Sequence, residues 1–160
     1  MTRVGVFSDS HGDHEAIDEL LEKMGYLDAV CFLGDVARDA YHIEDRLSER
    51  PNYPRLYAVR GNNDFACPMP LEQLIELGGM RIYMTHGHIL SSLMALVYKA
   101  KEKEAKIALF GHTHQALCEY EDGVMLFNPG SAGNYCRGGH ARASVLEIDK
   151  GSVRVINISL

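Results

Sequence analysis

KIALFGHTH, from Lys106 to His114, sets four apolar residues directly against a glycine and a pair of histidines. A run this short, closed by glycine, reads as a strand buried on both faces that empties into a tight loop. Four other stretches share the design: VGVFSDSH from Val4, AVCFLGD from Ala29, LYAVRGNND from Leu56 and RIYMTHGH from Arg81. Helical spacings lie between them. Asp13 is placed to cap a helix whose Ile17, Leu20, Leu21 and Met24 share one face, with Gly25 as its stop. Tyr41 to Arg50 sets Ile43 and Leu47 four apart before Pro51, and LEQLIEL, Leu71 to Leu77, reads as a short third helix. Ser91 to Lys106 aligns Leu93, Val97 and Ala100 on one side and ends in the solvated charges of KEKEAK.

The style changes after His114. ALCEYEDGVMLFNPGS and ARASVLEIDKGSVRVINISL each hold a two-residue turn signal, Asp122-Gly123 and Lys150-Gly151, between apolar or alternating runs, the pattern of antiparallel hairpins. No Pro/Gly/Ser-rich linker and no repeat divides the chain. The expectation is one α/β domain over residues 1–160, with two mixed β-sheets packed as a sandwich and flanked by helices, because each apolar face needs a partner.

Composition narrows the function. The chain has 160 residues, 46% of them hydrophobic, and a formal charge of −6, which argues against a nucleic-acid surface built on bulk positive potential. The amino terminus reaches Asp9 and His11 too soon for a signal peptide, and no stretch is long enough to span a bilayer, so a cytoplasmic protein is expected. Cys31, Cys67, Cys118 and Cys136 are irregularly spaced with no C-x-x-C pair, which suits reduced thiols better than a zinc knuckle. Oligomeric state is open; a homodimer through the C-terminal hairpins or the Leu90 to Val97 face is one possibility.

Chemistry collects where the apolar runs end. Asp9 and His11 follow the first, Asp35 the second, Asn62 the third, His86 the fourth, and His112 with His114 the fifth. In α/β sheets the open crevice lies at the carboxyl ends of the strands, so these residues are expected at one address. Carboxylate, amide and imidazole donors without thiolate suit Mn, Fe, Zn, Ni or Co. Taken singly, each fragment has a plainer reading: Gly34, Gly61, Gly87 and Gly111 serve as ordinary strand-ending turns, and Asp9 and Asp35 as loop carboxylates.

Taken together and in order, D-S-H (Asp9 to His11), G-D (Gly34, Asp35), G-N-N-D (Gly61 to Asp64), H-G-H (His86 to His88) and G-H-T-H (Gly111 to His114) resemble the signature of the calcineurin-like metallophosphoesterases, most of all their small bacterial and archaeal phosphodiesterase branch. N-P-G-S (Asn128 to Ser131) and the following C-R-G-G are similar to that branch as well. The resemblance implies that Asp9, His11 and His114 hold one metal, that Asn62, His86 and His112 hold a second, and that Asp35 bridges them. Manganese is the expected metal, with Ni, Zn, Fe or Co as alternatives. Two cations roughly 3.5–4 Å apart would activate a water for in-line attack on a small phosphodiester.

Three further residues are candidates beside the metals. His88 is placed to orient a ligand or to touch substrate. Asn63 stands where the larger phosphatases of this family carry a histidine acting as general acid; asparagine cannot donate a proton as an acid, although its amide can bond phosphate. Asp64 is then a candidate to assist the leaving group. Two other functions stay open: a phosphomonoesterase or nucleotide hydrolase, and a protein-binding scaffold, since the resemblance includes a membrane-sorting subunit of this fold with an incomplete metal centre.

Overall fold

The computed structural model describes residues 1–134 and 140–160. In the first sheet, β1 (Thr2–Phe7), β2 (Ala29–Phe32) and β3 (Arg55–Ala58) lie parallel and side by side. Helices α1 (His14–Met24) and α2 (Ala37–Ser48) make the two crossovers. Asp13 caps α1 by accepting a hydrogen bond from the amide of Ala16, and Gly25 ends it at φ 66°. Two antiparallel strands, β9 (Arg142–Asp149) and β10 (Ser152–Ser159), extend the sheet beyond β1.

The second sheet has the order β4 (Glu72–Leu77), β5 (Met80–Thr85), β6 (Ile107–Leu109), β8 (Val124–Asn128), β7 (Leu117–Glu121). Its three central strands run parallel, and both outer ones antiparallel. Helix α3 (Leu93–Glu102), capped by the Ser92 hydroxyl, covers one face. The result is four layers, helix, sheet, sheet and helix, the α/β sandwich that the strand pattern implies.

Three apolar clusters fill the spaces between layers. Phe7, Ile17, Leu20, Ile43 and Phe32 pack α1 and α2 on the first sheet; Tyr83, Leu96, Val97 and Leu126 pack α3 on the second. Between the sheets lie Val6, Cys31, Ile82, Met84, Ile107 and Leu146. Burial of each large aliphatic side chain here contributes about 1.5–3 kcal/mol, which is why the central strands are apolar on both faces.

One element differs from expectation. Leu71 to Leu77 is not a helix; Glu72–Leu77 is a strand, paired antiparallel with β5 from Glu72 opposite Thr85 to Leu77 opposite Met80. Gly78 and Gly79, at φ 59° and 78°, make the two-residue hairpin turn that joins them. Seven residues of mixed leucine and glutamate satisfy either period, and the glycine pair next to them decides the matter. Helix α2 also begins four residues earlier than Tyr41, at Ala37. No helix among the described residues is long and apolar enough to cross a membrane.

Candidate metal centre

All six parallel strands point their carboxyl ends at one rim. The loops leaving β1, β2 and β3 bring Asp9, His11, Asp35 and Asn62; those leaving β5 and β6 bring His86, His112 and His114. Nε2 of His114 lies 3.2 Å from Oδ1 of Asp9 and 3.3 Å from Nε2 of His11. Nε2 of His86 stands 3.8 Å from Oδ1 of Asp9, 3.6 Å from Oδ2 of Asp35 and 3.0 Å from Oδ1 of Asn62. Nδ1 of His112 is 3.2 Å from the same Asn62 oxygen, and Nε2 of His11 is 4.0 Å from Oδ2 of Asp35. Two sets, Asp9 with His11 and His114, and Asp9 with Asp35 and His86, converge tightly enough to hold an ion.

Several groups around this cluster are fixed, and the fixed atoms leave particular lone pairs open. Asp9 is fully buried; its Oδ2 accepts from the Ser8 hydroxyl at 2.5 Å and the His112 amide at 2.9 Å, whereas its Oδ1 has no hydrogen-bond partner. A buried carboxylate oxygen with no donor costs free energy unless a cation meets it. His86 donates from Nδ1 to the Leu33 carbonyl at 2.7 Å, which fixes the ring with Nε2 turned toward the Asn62 oxygen at 3.0 Å. The residues present therefore fit divalent cations.

The backbone is bent to the same purpose. Asp9, His11, Asp35, His112 and His114 all have positive φ, between 46° and 66°, and Val36 follows at 72°. Such conformations cost roughly 1–3 kcal/mol each for non-glycine residues and cluster where side chains must be aimed. Close approach requires glycine at positions 61 and 111 among others. A Cβ on Gly61 would sit 2.1 Å from Oδ1 of Asp35, and one on Gly111 would sit 1.9 Å from the Ser8 hydroxyl.

Asn63 and Asp64 both point at protein groups. Asn63 donates from its backbone amide to Oδ1 of Asp35 at 3.1 Å and from its side-chain amide to Oδ2 at 2.8 Å, gripping both oxygens of that carboxylate. Asp64, 7% exposed, accepts from the amides of Gly61 and Ala37, both at 2.7 Å. It thus caps α2, whose own N-cap residue Val36 has no side chain able to do so. His88 lies beside the cluster, its ring centroid 5.5 Å from that of His86 and 6.4 Å from that of His112. Burial first, then those two imidazoles, lower its pKa.

Supporting residues that the sequence reading did not single out for these roles complete the site. Ser131 donates to the Asp9 carbonyl at 2.7 Å, and Asn128 donates to the Gly111 carbonyl at 3.0 Å and to the Thr113 hydroxyl at 3.1 Å, so N-P-G-S braces both the first and the fifth ligand loops. Fully buried Asp39 accepts from the Ser10 hydroxyl at 2.5 Å and the Gly12 amide at 2.8 Å, and lies 2.8 Å from Nε2 of His14. His14 and His42 stack at 4.0 Å, and His42 lies 2.7 Å from Asp18. Asp39 stands four residues after Asp35, in the first turn of α2, where an acidic side chain reads in sequence as an ordinary helix-start residue. Cys136 and the rest of C-R-G-G fall outside the described residues, and His140 is exposed at their far end.

A model of the calcineurin-like phosphoesterase superfamily domain matches residues 2–151. The phosphodiesterase YfcE of Escherichia coli (strain K12) is 29% identical over 181 aligned positions, which span 98% of this chain and 94% of that protein. A predicted phosphoesterase from Streptococcus pneumoniae TIGR4, known from its crystal structure, is 30% identical with a TM-score of 0.79, covering 99% of this chain and 89% of that one. Vps29 from Entamoeba histolytica, crystallised with Zn2+, is similar in fold at 21% identity, with a TM-score of 0.74 over 99% of each chain.

Proposed function

The chain belongs to the calcineurin-like phosphoesterase superfamily, and from that premise we propose that it is a metal-dependent phosphodiesterase, hydrolysing a P–O bond of a small phosphate diester with two divalent cations, manganese first among them. The observation that carries this reading is the buried Oδ1 of Asp9, without a donor and facing the imidazoles of His114 and His86. On this reading Asp9, His11 and His114 would hold one cation and Asn62, His86 and His112 the other, with Asp35 as the carboxylate between them. When bound, the pair supplies an activated water and positive charge at the phosphate oxygens.

The chain's own groups do the rest. Asp9 and Asp35 neutralise half the charge of two dications, and the neutral amide and imidazoles leave the remainder to attract an anionic diester. Asn63 acts as a positioning residue: its two hydrogen bonds hold both Asp35 oxygens in one orientation. Asp64 positions Gly61 and the start of α2, and so keeps the second and third ligand loops in register. His88 stands at the edge of the cluster, where its ring contacts the phosphate of a bound diester.

The test is a panel of apo protein reloaded with Mn, Ni, Zn, Fe or Co and assayed on bis(p-nitrophenyl) phosphate and on p-nitrophenyl phosphate. Expected are about two bound cations per chain, diester hydrolysis that EDTA abolishes, and slower monoester cleavage. Faster monoester cleavage would make the protein a phosphomonoesterase. A chain that takes up no cation and cleaves neither ester is a protein-binding scaffold of the same fold.

A further inference from the structure

A cavity of about 200 Å³ opens beside His112, between the loop that follows β5, the start of α3 and the G-H-T-H loop. His112, Gly87 and Gly111 form the wall it shares with the metal cluster. Leu96 and Phe110, 2% and 6% exposed, form its floor, and Leu93, 42% exposed, stands at its rim with Leu90. None of the other lining residues carries a charged group.

Two of its three hydroxyls already accept hydrogen bonds, and the third, on Ser91, lies at an exposed position of the mouth. Ser92 accepts from the Ala95 amide as the α3 cap, and Thr113 accepts from the Gln115 amide and the Asn128 side chain. Against the buried floor of Leu96 and Phe110 a nucleobase would find no partner for its polar edge, at a cost of roughly 1–3 kcal/mol for each group left unpaired. An apolar ring loses nothing. Cavities of about 150 Å³ lined by Leu, Ile and Phe accept benzene, so this volume suits one six-membered ring with a small substituent.

We propose that this cavity seats the organic ester group of the substrate, that the preferred substrates are diesters carrying a single apolar ring, and that Leu93 and Leu90 set the preference. The assignment rests on the phosphodiesterase reading, which places the phosphate at the cluster next door. Whichever side of the phosphorus faces His112, its apolar substituent enters between Leu93 and Phe110.

Phenylphosphonate and methylphosphonate test this directly, because a phosphonate can turn its one organic group toward the cavity. With the Mn-loaded protein, their inhibition constants are measured against bis(p-nitrophenyl) phosphate, and the leucine methyl resonances are followed during each titration. The phenyl compound is expected to inhibit about tenfold more tightly, since a ring is withdrawn from water, and to shift the methyls of Leu93 and Leu96. In Leu93→Ser and Leu90→Ser, which change solvent-accessible rim positions, the ratio of the two constants should fall toward one. Hydrolysis with equal inhibition by both compounds overturns the cavity assignment and leaves the phosphodiesterase standing. So does a phenyl preference that survives both substitutions without shifts in the Leu93 and Leu96 methyls. Absence of cation uptake and hydrolysis removes the phosphodiesterase reading and this assignment together.

Discussion

Asp9 is clamped at one oxygen and open at the other, and the difference was invisible in D-S-H alone. Residue type and position after a strand mark Asp9, His11, Asp35, Asn62, His86, His112 and His114 as potential ligands, because few other roles concentrate carboxylates and imidazoles at strand ends. What the motif could not carry is the direction of each hydrogen bond. Asn63 and Asp64 read as groups facing substrate; the loop turns them onto Asp35 and onto two backbone amides. On the proposed two-cation reading, Asp35→Asn is expected to abolish measurable uptake of one of the cations and to lower diester turnover at least a hundredfold, read by metal analysis and steady-state kinetics. Asn63→Ala should weaken Mn binding by about 10- to 100-fold, as the loss of partners outside the ligand sphere commonly does; a cation titration with turnover measured at saturating Mn separates this from lost chemistry. At Cys31, complete burial pushes the thiol from 9.0 to about 12. The folded state therefore binds the proton more tightly than the unfolded chain, and stability is full below pH 9 and falls by at most about 1.4 kcal/mol per pH unit between about 9 and 12. Urea unfolding of the Cys31→Ala protein alongside the parent across that range should show the parent losing stability faster.

At the level of elements, strands and caps were readable wherever a local pattern agreed with its neighbours. The five apolar runs became five of the six parallel strands, β1, β2, β5 and β6 because burial on both faces demands continuous apolar sequence and β3 as a half-buried edge, and Asp13, Gly25 and Ser92 bound helices because their groups meet free backbone ends. Glu72–Leu77 misled because leucine and glutamate favour helices in isolation, while the partner strand across Gly78-Gly79 supplies the hydrogen bonds that prevail. The start of α2 was illegible for a different reason: its cap comes from Asp64, far along the chain. Gly78 carries positive φ, and a Cβ there would meet Ile148 at 2.9 Å. Gly78→Ala should therefore destabilise the protein by about 1 kcal/mol or more, measured as a lower urea midpoint with an unchanged slope.

Over the whole molecule, the four-layer order followed from the count of apolar faces needing cover, whereas the meeting of the two sheets at one rim depends on strand order that no local pattern contains. The donor set is divided between the sheets, whose halves already meet through the apolar layer and through the His86–Leu33 and His112–Asp9 hydrogen bonds, so cations held as proposed would add a further tie between them. Mn at a hundredfold excess over its dissociation constant should add about 2.7 kcal/mol of stability, or roughly 5–10 °C in melting temperature for a chain of this size. Thermal unfolding with Mn and with EDTA measures the difference, and Asp35→Asn should show much less of it.

The aliphatic layer between the sheets, with Val6, Cys31, Met84 and Leu146 in it, works as the setting of a calliper. Were the rim to hold cations as proposed, the thickness of that layer would set how far the jaws stand apart and so which ionic radius they grip best. A methylene gained or lost in that interior, remote from every donor atom, would be felt as a changed choice among manganese, zinc and nickel.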